Sequence, residues 1–566
     1  MFRHLNRVSF LWSYTSPWKW EILLSLFALT FVSFTTLIYP WLLKLMVDQF
    51  SGQSIVHADV SMIMVALALL FLLSTLLGYY QQLTMHSLGY RLRNAVRIDL
   101  YQHLLERPMA FHRNQQVGEL SARATEDVGK LQAIFVSLVA PVYQNLLIVA
   151  GGLALSILLN WAAALILVFF MTVPIPFVLR YSHRIRALGA KSQADHARAN
   201  AHLEESLVAI REVKAFAREE SEVKRYSGFL RDAFRNEVSA SKMVIRGNQA
   251  AYFLLSAMLL TTFYLAAVSA MPNWTLGSMV AFYFYAYTMA MALLSIGRIY
   301  LTYQSVTGAL DRIVELLTPQ EQIRTPTPWV DEKLAAGTVE FSEVSFGYSE
   351  GKEILHEVSF SIEDGTWAVI GGPSGSGKST IASLIMSFYD PLAGDIKIGG
   401  HSIKNWNKKT LRGQIGYVGQ DPLLFHGSIR ENLLVAGRIV RDKEIEEVLR
   451  TTCLKDTIAE LSHGVDTIVG ERGYTLSGGQ KARVAIARAL LFDPIILILD
   501  EPNTMLEEKL EIELWKNLAA ERQNRTTIIL THHATHIPPN YKSLRIEHGM
   551  ITVAHDRIPQ KQSFSA

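Results

Sequence analysis

The chain has 566 residues, a net charge of only +3, and is 50% hydrophobic against 19% charged, with a mean hydropathy of +0.19. So little charge argues against a purely cytosolic enzyme, so much apolar surface excludes intrinsic disorder, and the near balance of charge points to no nucleic-acid partner. The lone Cys453 excludes an internal disulfide and a cysteine-built zinc or iron–sulfur centre.

The first 20 residues are aromatic and basic (Trp12, Tyr14, Trp18 and Trp20 with Arg3, Arg7 and Lys19), which predicts a short helix at a membrane interface. The apolar run that follows is too long for a cleaved signal peptide. No Asp, Glu, Lys or Arg occurs over residues 22–43, 60–90, 131–179 or 247–297. A spanning helix needs about 20 apolar residues. The first two runs therefore hold one span each. The last two hold two each, broken at Asn160-Trp161 and at Pro272-Asn273-Trp274. Six spans are predicted, at about 22–46, 60–83, 134–157, 162–181, 249–270 and 276–299.

Residues 90–130 and 181–246 carry seven and thirteen Lys or Arg, whereas residues 51–59, 160–161 and 271–275 carry none. Positive charge collects on the cytoplasmic side, so both termini and both long intervening segments are expected there. These segments are rich in strong helix formers. The spans are expected to continue as helices for roughly 37 Å below the bilayer, reversing near residues 108–118 and 208–216. A cytosolic cap of amphipathic helices is the alternative. After the sixth span, Thr325-Pro326-Thr327-Pro328 breaks any helix. The expected division is a transmembrane domain over 1–318, a linker over 319–337, a second domain over 338–556 and a tail over 557–566.

From Gly337 the periodicity changes to strand-like alternation, and Trp367-Ala368-Val369-Ile370 reads as a short buried strand. It runs into Gly372-Pro373-Ser374-Gly375-Ser376-Gly377-Lys378-Ser379-Thr380, a phosphate-loop motif between strand and helix. Glycines let backbone N–H groups turn inward around phosphate oxygens, and the helix N-terminus adds partial positive charge. Lys378 reaches the β- and γ-phosphates, and the Ser379 hydroxyl suits Mg²⁺. Downstream, five aliphatic residues (495–499) end in Asp500-Glu501, an acidic pair at the end of a buried strand. Asp500 is the expected metal ligand, and Glu501 the residue that orients and polarises the attacking water. The plainer reading is a pair of acids at the next helix's N-terminus.

Leu476-Ser477-Gly478-Gly479-Gln480 resembles the signature of ABC-transporter ATPases, and the surrounding order of motifs agrees. Tyr348 resembles that family's adenine-stacking aromatic, Gln420 its Q-loop glutamine, which also attends the metal, and His532 its γ-phosphate switch histidine. Taken singly, Tyr348 is a surface aromatic and His532 a loop histidine; their order and spacing carry the assignment. In the first half, residues 111–120 and 124–127 resemble the first coupling region of six-helix exporters. The resemblance implies a six-helix all-α transmembrane exporter domain followed by an α/β P-loop ATPase domain. It implies ATP and Mg²⁺ as cofactors, and ATP bound between one subunit's phosphate loop and the other's Ser477, Gly478, Gly479 and Gln480. It also implies a dimer of half-transporters, here expected to be a homodimer, in a bacterial cytoplasmic membrane.

The chain departs from the family pattern after Glu501, where Pro502-Asn503-Thr504-Met505-Leu506-Glu507 stands in the D-loop, and after His532, where His533-Ala534-Thr535-His536 follows. The tail lacks the usual closing helix. These departures leave open a heterodimeric partner. An importer on the exporter fold and a membrane-tethered regulator or channel are further alternatives.

Intramembrane charge marks ion and proton pathways, and the middles of the predicted spans have none. ATP rather than a proton gradient is the expected source of work. Residues 282–291 of the sixth span interleave aromatics and methionine, which make adaptable contacts with irregular apolar molecules. Amphipathic or hydrophobic cargo is therefore expected, against the reading that these side chains only pack between helices or face lipid. Gln144 and Asn145 are expected to face the interior, away from hydrocarbon.

Overall fold

The structure, a computed structural model, describes residues 7–52, 60–115, 117–173, 175–267, 274–318, 330–348, 351–437, 439–470, 473, 475–502, 507–532, 536–537 and 540–553. Residues 503–506 of the altered D-loop, residues 533–535, the proline-rich stretch 325–328 and the C-terminal tail lie outside them. The chain forms two compact units, one of Met1–Leu105 with Gly118–Pro319, the other of Glu106–Val117 with Gln320–Ala566.

The first unit is helical. The N-terminal α1 (Arg7–Thr15) leads into α2 (Lys19–Phe50) and α3 (Val60–Glu106). The short α4 (Met109–Asn114) clusters with the second unit. Then come α5 (Val117–Ala122), a π-helical turn Arg123–Asp127, α6 (Val128–Lys130), a second π-helical turn Ile134–Val139, and α7 (Ala140–Leu159). After these follow α8 (Trp161–Thr172), α9 (Ile175–Val208), α10 (Ile210–Ala215), α11 (Glu219–Ala267) and α12 (Leu276–Leu317). At 1.5 Å per residue α3 is about 70 Å long, well beyond a bilayer's hydrocarbon core.

Among the described residues five helical stretches are long and apolar enough to cross a membrane: Arg7–Phe50, Ser61–Glu106, Val117–Leu159, Glu219–Leu265 and Leu276–Leu317. They expose Phe27, Leu72, Leu76 and Phe253, side chains suited to hydrocarbon. The fourth predicted span corresponds to α8 (Trp161–Thr172) and the start of α9 at Ile175, with Pro174 between them outside the described residues. The turn before it is as the residues dictate. The Asn160 side chain accepts from the N–H groups of Ala162 and Ala163 at 2.9 and 3.1 Å, capping α8.

Polar contacts join helices far apart in sequence. Asn145 donates to the Ser295 hydroxyl at 2.6 Å, so one amide of the predicted polar pair has an interior partner. Buried Asp127 accepts twice from the Arg312 guanidinium at 2.7 Å and once from Lys130 at 2.9 Å. The aromatic stretch on α12 divides in two. Phe282, Tyr285 and Met289 are buried against neighbouring helices, whereas Tyr283 and Tyr287 are exposed and stack at 6.3 Å. Helix packing accounts for the first group.

The second unit is α/β. In chain order its elements are β1 (Val339–Phe346), β2 (Leu355–Ile362), β3 (Trp367–Gly371), α13 (Lys378–Ile385), β4 (Ala393–Ile398), β5 (His401–Ser402), α14 (Lys408–Arg412), β6 (Ile415–Val418), β7 (Gly427–Ser428) and α15 (Ile429–Leu433). These are followed by α16 (Asp442–Thr451), α17 (Lys455–Ala459), β8 (Ile468–Val469), α18 (Gly478–Leu491), β9 (Ile496–Asp500), α19 (Glu508–Glu521), β10 (Thr526–Thr531), β11 (Tyr541–Glu547) and β12 (Met550–Val553). A six-stranded sheet runs β12-β11-β3-β10-β9-β6. Its pairs from β11 to β6 are parallel. The central strands are buried on both faces, and all five residues of β9 and all six of β10 are inaccessible, which is why they read as unbroken aliphatic runs. A second, antiparallel sheet runs β2-β1-β4-β5. In a parallel sheet the carboxyl ends of the strands open on one edge, where ligands are received.

Candidate nucleotide site

That edge gathers β3, β9 and β10, the strands that end at Gly371, Asp500 and Thr531. The loop from Gly372 to Gly377 leaves β3 and enters α13. Gly377 holds φ at +110°, and a Cβ there would lie 2.7 Å from Leu355, so the sharp entry to the helix demands glycine. Lys378, buried at the first turn of α13, curls its ammonium back to donate to the carbonyls of Gly372 and Pro373 at 2.9 and 3.0 Å. Burial pulls its pKa down, and the carboxylates of Glu501 and Asp500 oppose that pull.

Asp500 ends β9 fully buried. Burial pushes its carboxyl up from the usual carboxylate range, opposed by a hydrogen bond from Ser379. Glu501 follows with φ at +51°, a left-handed backbone that costs a non-glycine residue of order 1 kcal/mol. Its N–H donates to the Leu530 carbonyl at 2.8 Å, which ties the strained residue to β10. The Glu501 carboxylate then sits among the other polar groups. Gln420 donates to Oε2 at 2.8 Å, His532 Nε2 lies 2.6 Å from Oε1, and Lys378 Nζ lies 3.8 Å away. The Ser374 hydroxyl is 3.1 Å from His532 Nε2. Thus Ser374, Lys378, Gln420, Glu501 and His532, drawn from four segments, meet at one point.

Tyr348 stands at the flank of this cluster. Its phenol oxygen is 3.3 Å from the Thr380 hydroxyl on α13, and Phe346 and Tyr389 each meet its ring edge-to-face at 5.0 Å. Arg113 of α4 places its guanidinium carbon 4.0 Å from the centroid of the same ring. Nothing in the sequence pattern singles out Arg113.

The signature segment lies elsewhere in the unit. Ser477 caps α18, its hydroxyl accepting from the Gln480 N–H at 3.2 Å while the Gln480 side chain accepts from the Ser477 N–H at 2.8 Å. The helix therefore begins inside the motif, at Gly478. Among the described residues no hydrogen bond or ion pair joins Ser477–Gln480 to the phosphate loop of the same chain.

The cluster suits a magnesium nucleotide. Ser376 Oγ and Asp500 Oδ1 are buried and have no hydrogen-bond partner among the described residues, and a buried polar atom without a partner costs about 1–3 kcal/mol. An acceptor and a hydroxyl left over beside a buried ammonium match a metal-bridged phosphate.

Two family models match the chain: the ABC transporter transmembrane region over residues 22–293 and the ABC transporter model over residues 355–504. The chain is 31% identical over 474 residues to the uncharacterised ABC transporter ATP-binding protein YknV of Bacillus subtilis, covering 82% of this chain and 77% of that one. It is 30% identical over 466 residues to a probable multidrug resistance ABC transporter ATP-binding/permease protein of the same organism, with 81% and 78% covered. Among solved structures it is similar to a bacterial Atm1-family ABC exporter with ATP bound, with a TM-score of 0.80, 25% identity, and 94% and 95% of the two chains covered.

Proposed function

This chain belongs to the ABC transporters, and from that premise we propose that two half-transporters, each like this chain, clamp ATP between them to drive amphipathic or hydrophobic cargo outward. The protein is an ABC exporter of the Atm1 and multidrug type, and its transport is coupled to ATP hydrolysis. The observation that carries the dimer is the separation within one chain. Lys378, Gln420, Glu501 and His532 converge, while the signature box at Ser477–Gln480 is folded on itself with, among the described residues, no bond to that cluster. A second subunit supplies the missing anion-binding helix N-terminus.

The placement supports the following roles. The phosphate loop, Gly372 to Thr380, holds the triphosphate, with Lys378 exchanging its carbonyl partners for β- and γ-phosphate oxygens. Tyr348 takes the adenine. Ser379, Gln420 and Asp500 hold Mg²⁺, which when bound neutralises phosphate charge. Glu501 takes a proton from water as the water oxygen attacks the γ-phosphorus. The bond to the β–γ bridging oxygen breaks, and ADP and phosphate leave. His532 senses the γ-phosphate by exchanging Glu501 for it. Clamping drives the membrane cavity to open outward, and hydrolysis resets it.

The Lys and Arg distribution supports an orientation with both termini and the ATPase unit in the cytoplasm, in a bacterial cytoplasmic membrane. Tyr283 and Tyr287, exposed on α12, are the side chains we assign to cargo. The test is ATPase stimulation of the full chain in reconstituted vesicles against a panel of lipids, drugs and peptides, with the sidedness of movement measured. Stimulation with ATP-dependent movement of an amphipathic compound to the face opposite the ATPase unit is expected. Movement in the other direction, or stimulation by small ions alone, would overturn the cargo and direction assigned here.

A further inference from the structure

The contact between Arg113 and Tyr348 fills space that a stacked base needs. A cation over an aromatic ring and a base stacked on the same ring take the same space above its face. The guanidinium carbon is 4.0 Å from the centroid, and its charge is felt as far as the neighbouring Tyr389 phenol. Tyr348 is not free to offer another position. Its hydroxyl is held near Thr380 at 3.3 Å, and two further aromatic rings pack against it at 5.0 Å. Arg113 is on α4, in the stretch Glu106–Val117 that leaves the membrane unit's helices at the end of α3, clusters with the ATPase unit and returns at α5.

We propose that Arg113 and the adenine of ATP compete for one face of Tyr348, so that the Glu106–Val117 segment senses whether the nucleotide's base is seated. The proposal rests on the assignment of Tyr348 to adenine. Before ATP arrives, the guanidinium covers the ring. The base displaces it, and the segment loses that anchor. The coupling is reciprocal: whatever presses Arg113 onto the ring weakens ATP binding by the same factor that ATP weakens the press. Arg113 is thus a determinant of base affinity and touches no phosphate.

The experiment compares ATP with inorganic tripolyphosphate, which has the phosphates and no base. Equilibrium binding of each to the full-length chain in nanodiscs is measured by titration calorimetry with EDTA present, so that nothing is hydrolysed. Removing an exposed cation–π competitor with Arg113→Ala is expected to tighten ATP binding about two- to fivefold and to leave tripolyphosphate binding unchanged. Arg113→Lys, which keeps the charge and loses the planar face, is expected to fall between the two. In Tyr348→Ala, ATP binding weakens, tripolyphosphate binding does not, and adding Arg113→Ala has no further effect.

If Tyr348→Ala leaves ATP binding unaltered, the adenine assignment fails and this proposal with it. If Tyr348→Ala weakens ATP binding while Arg113→Ala leaves it unchanged or weakens it too, the adenine assignment stands and the competition is refuted. An equal gain for ATP and tripolyphosphate also refutes it, because the effect would then lie with the phosphates.

Discussion

The imidazole Nε2 of His532 lies 2.6 Å from the Oε1 of Glu501, so the histidine after β10 and the carboxylate after β9 are partners when no nucleotide stands between them. The other carboxylate oxygen accepts from Gln420 at 2.8 Å, and the Glu501 backbone is held at φ +51°. Each oxygen therefore has a partner within the chain, and with two lone pairs apiece it can also accept from a water.

Replacing Glu501 by Gln keeps the size of the side chain and removes the proton acceptor. A general base is worth about 10²–10⁴ in rate, so ATP turnover in Glu501→Gln should fall at least a hundredfold. The same variant should still bind ATP, and the clamped dimer should persist on size-exclusion chromatography with ATP and Mg²⁺. Steady-state phosphate release and chromatography check both. Turnover at the parent rate would remove Glu501 from its assigned role.

Lys378 is buried with its ammonium on two loop carbonyls, which neutralise little of its charge. Phosphate oxygens are the stronger partners, since a hydrogen bond between ions contributes about 1.5–3 kcal/mol. Lys378→Ala should weaken ATP binding by roughly 10- to 100-fold on that basis. Titration of the full chain with ATP in EDTA reads this directly, and unaltered affinity would sink the cradle.

What the sequence makes legible here is what local backbone geometry demands. The phosphate loop needs glycine at Gly377, where φ is +110°. The strand β9 must be aliphatic because both its faces are covered, and the Ser477–Gln480 capping box is complete within four residues. Contacts made across hundreds of residues leave no such trace. Arg113 reaches Tyr348, Arg312 reaches Asp127, and Asp48 reaches Gly277; motif order marks Tyr348 and the stretches that hold Arg113 and Asp127, but nothing in the sequence pairs either residue with its partner. The π-helical turns at Arg123–Asp127 and Ile134–Val139 have no composition of their own.

Arg522 is a buried cation that, among the described residues, makes no ion pair with a carboxylate. Its guanidinium donates to the carbonyls of Pro494, Ile495 and Thr526 at 2.6, 3.2 and 2.9 Å, which pins the start of β9 to the start of β10. Burial pulls its pKa down to about 10, still well above neutrality, so the charge is retained. Arg522→Ala strands three buried carbonyls at about 1–3 kcal/mol each when unsatisfied. A loss of at least about 3 kcal/mol is expected, equivalent to roughly 6–12 °C in the melting midpoint of a domain this size. Thermal unfolding of the detergent-solubilised chain measures it, and a midpoint within 2 °C or so of the parent would contradict the count of stranded groups.

In the membrane unit the close approach of α2 and α12 depends on Gly277. Its N–H donates to Asp48 Oδ1 at 2.9 Å, and Asp48 thereby places a carboxylate at the N-terminus of α12, where the helix dipole favours it. A Cβ at Gly277 would lie 2.3 Å from the Lys44 carbonyl oxygen and 2.5 Å from Asp48 Oδ1. The first obstacle is backbone and cannot rotate away, so Gly277→Ala must push α12 off α2. Overpacking of this kind costs about 1–3 kcal/mol. Gly247, within α11, is the opposite case: a Cβ there meets nothing within 4 Å, and alanine in a helix interior is favoured over glycine by about 0.5–1 kcal/mol. Gly277→Ala should therefore lower the melting midpoint of the solubilised chain and Gly247→Ala should raise it slightly. A midpoint for Gly277→Ala at or above that of the parent would mean that α2 and α12 are not in the contact described.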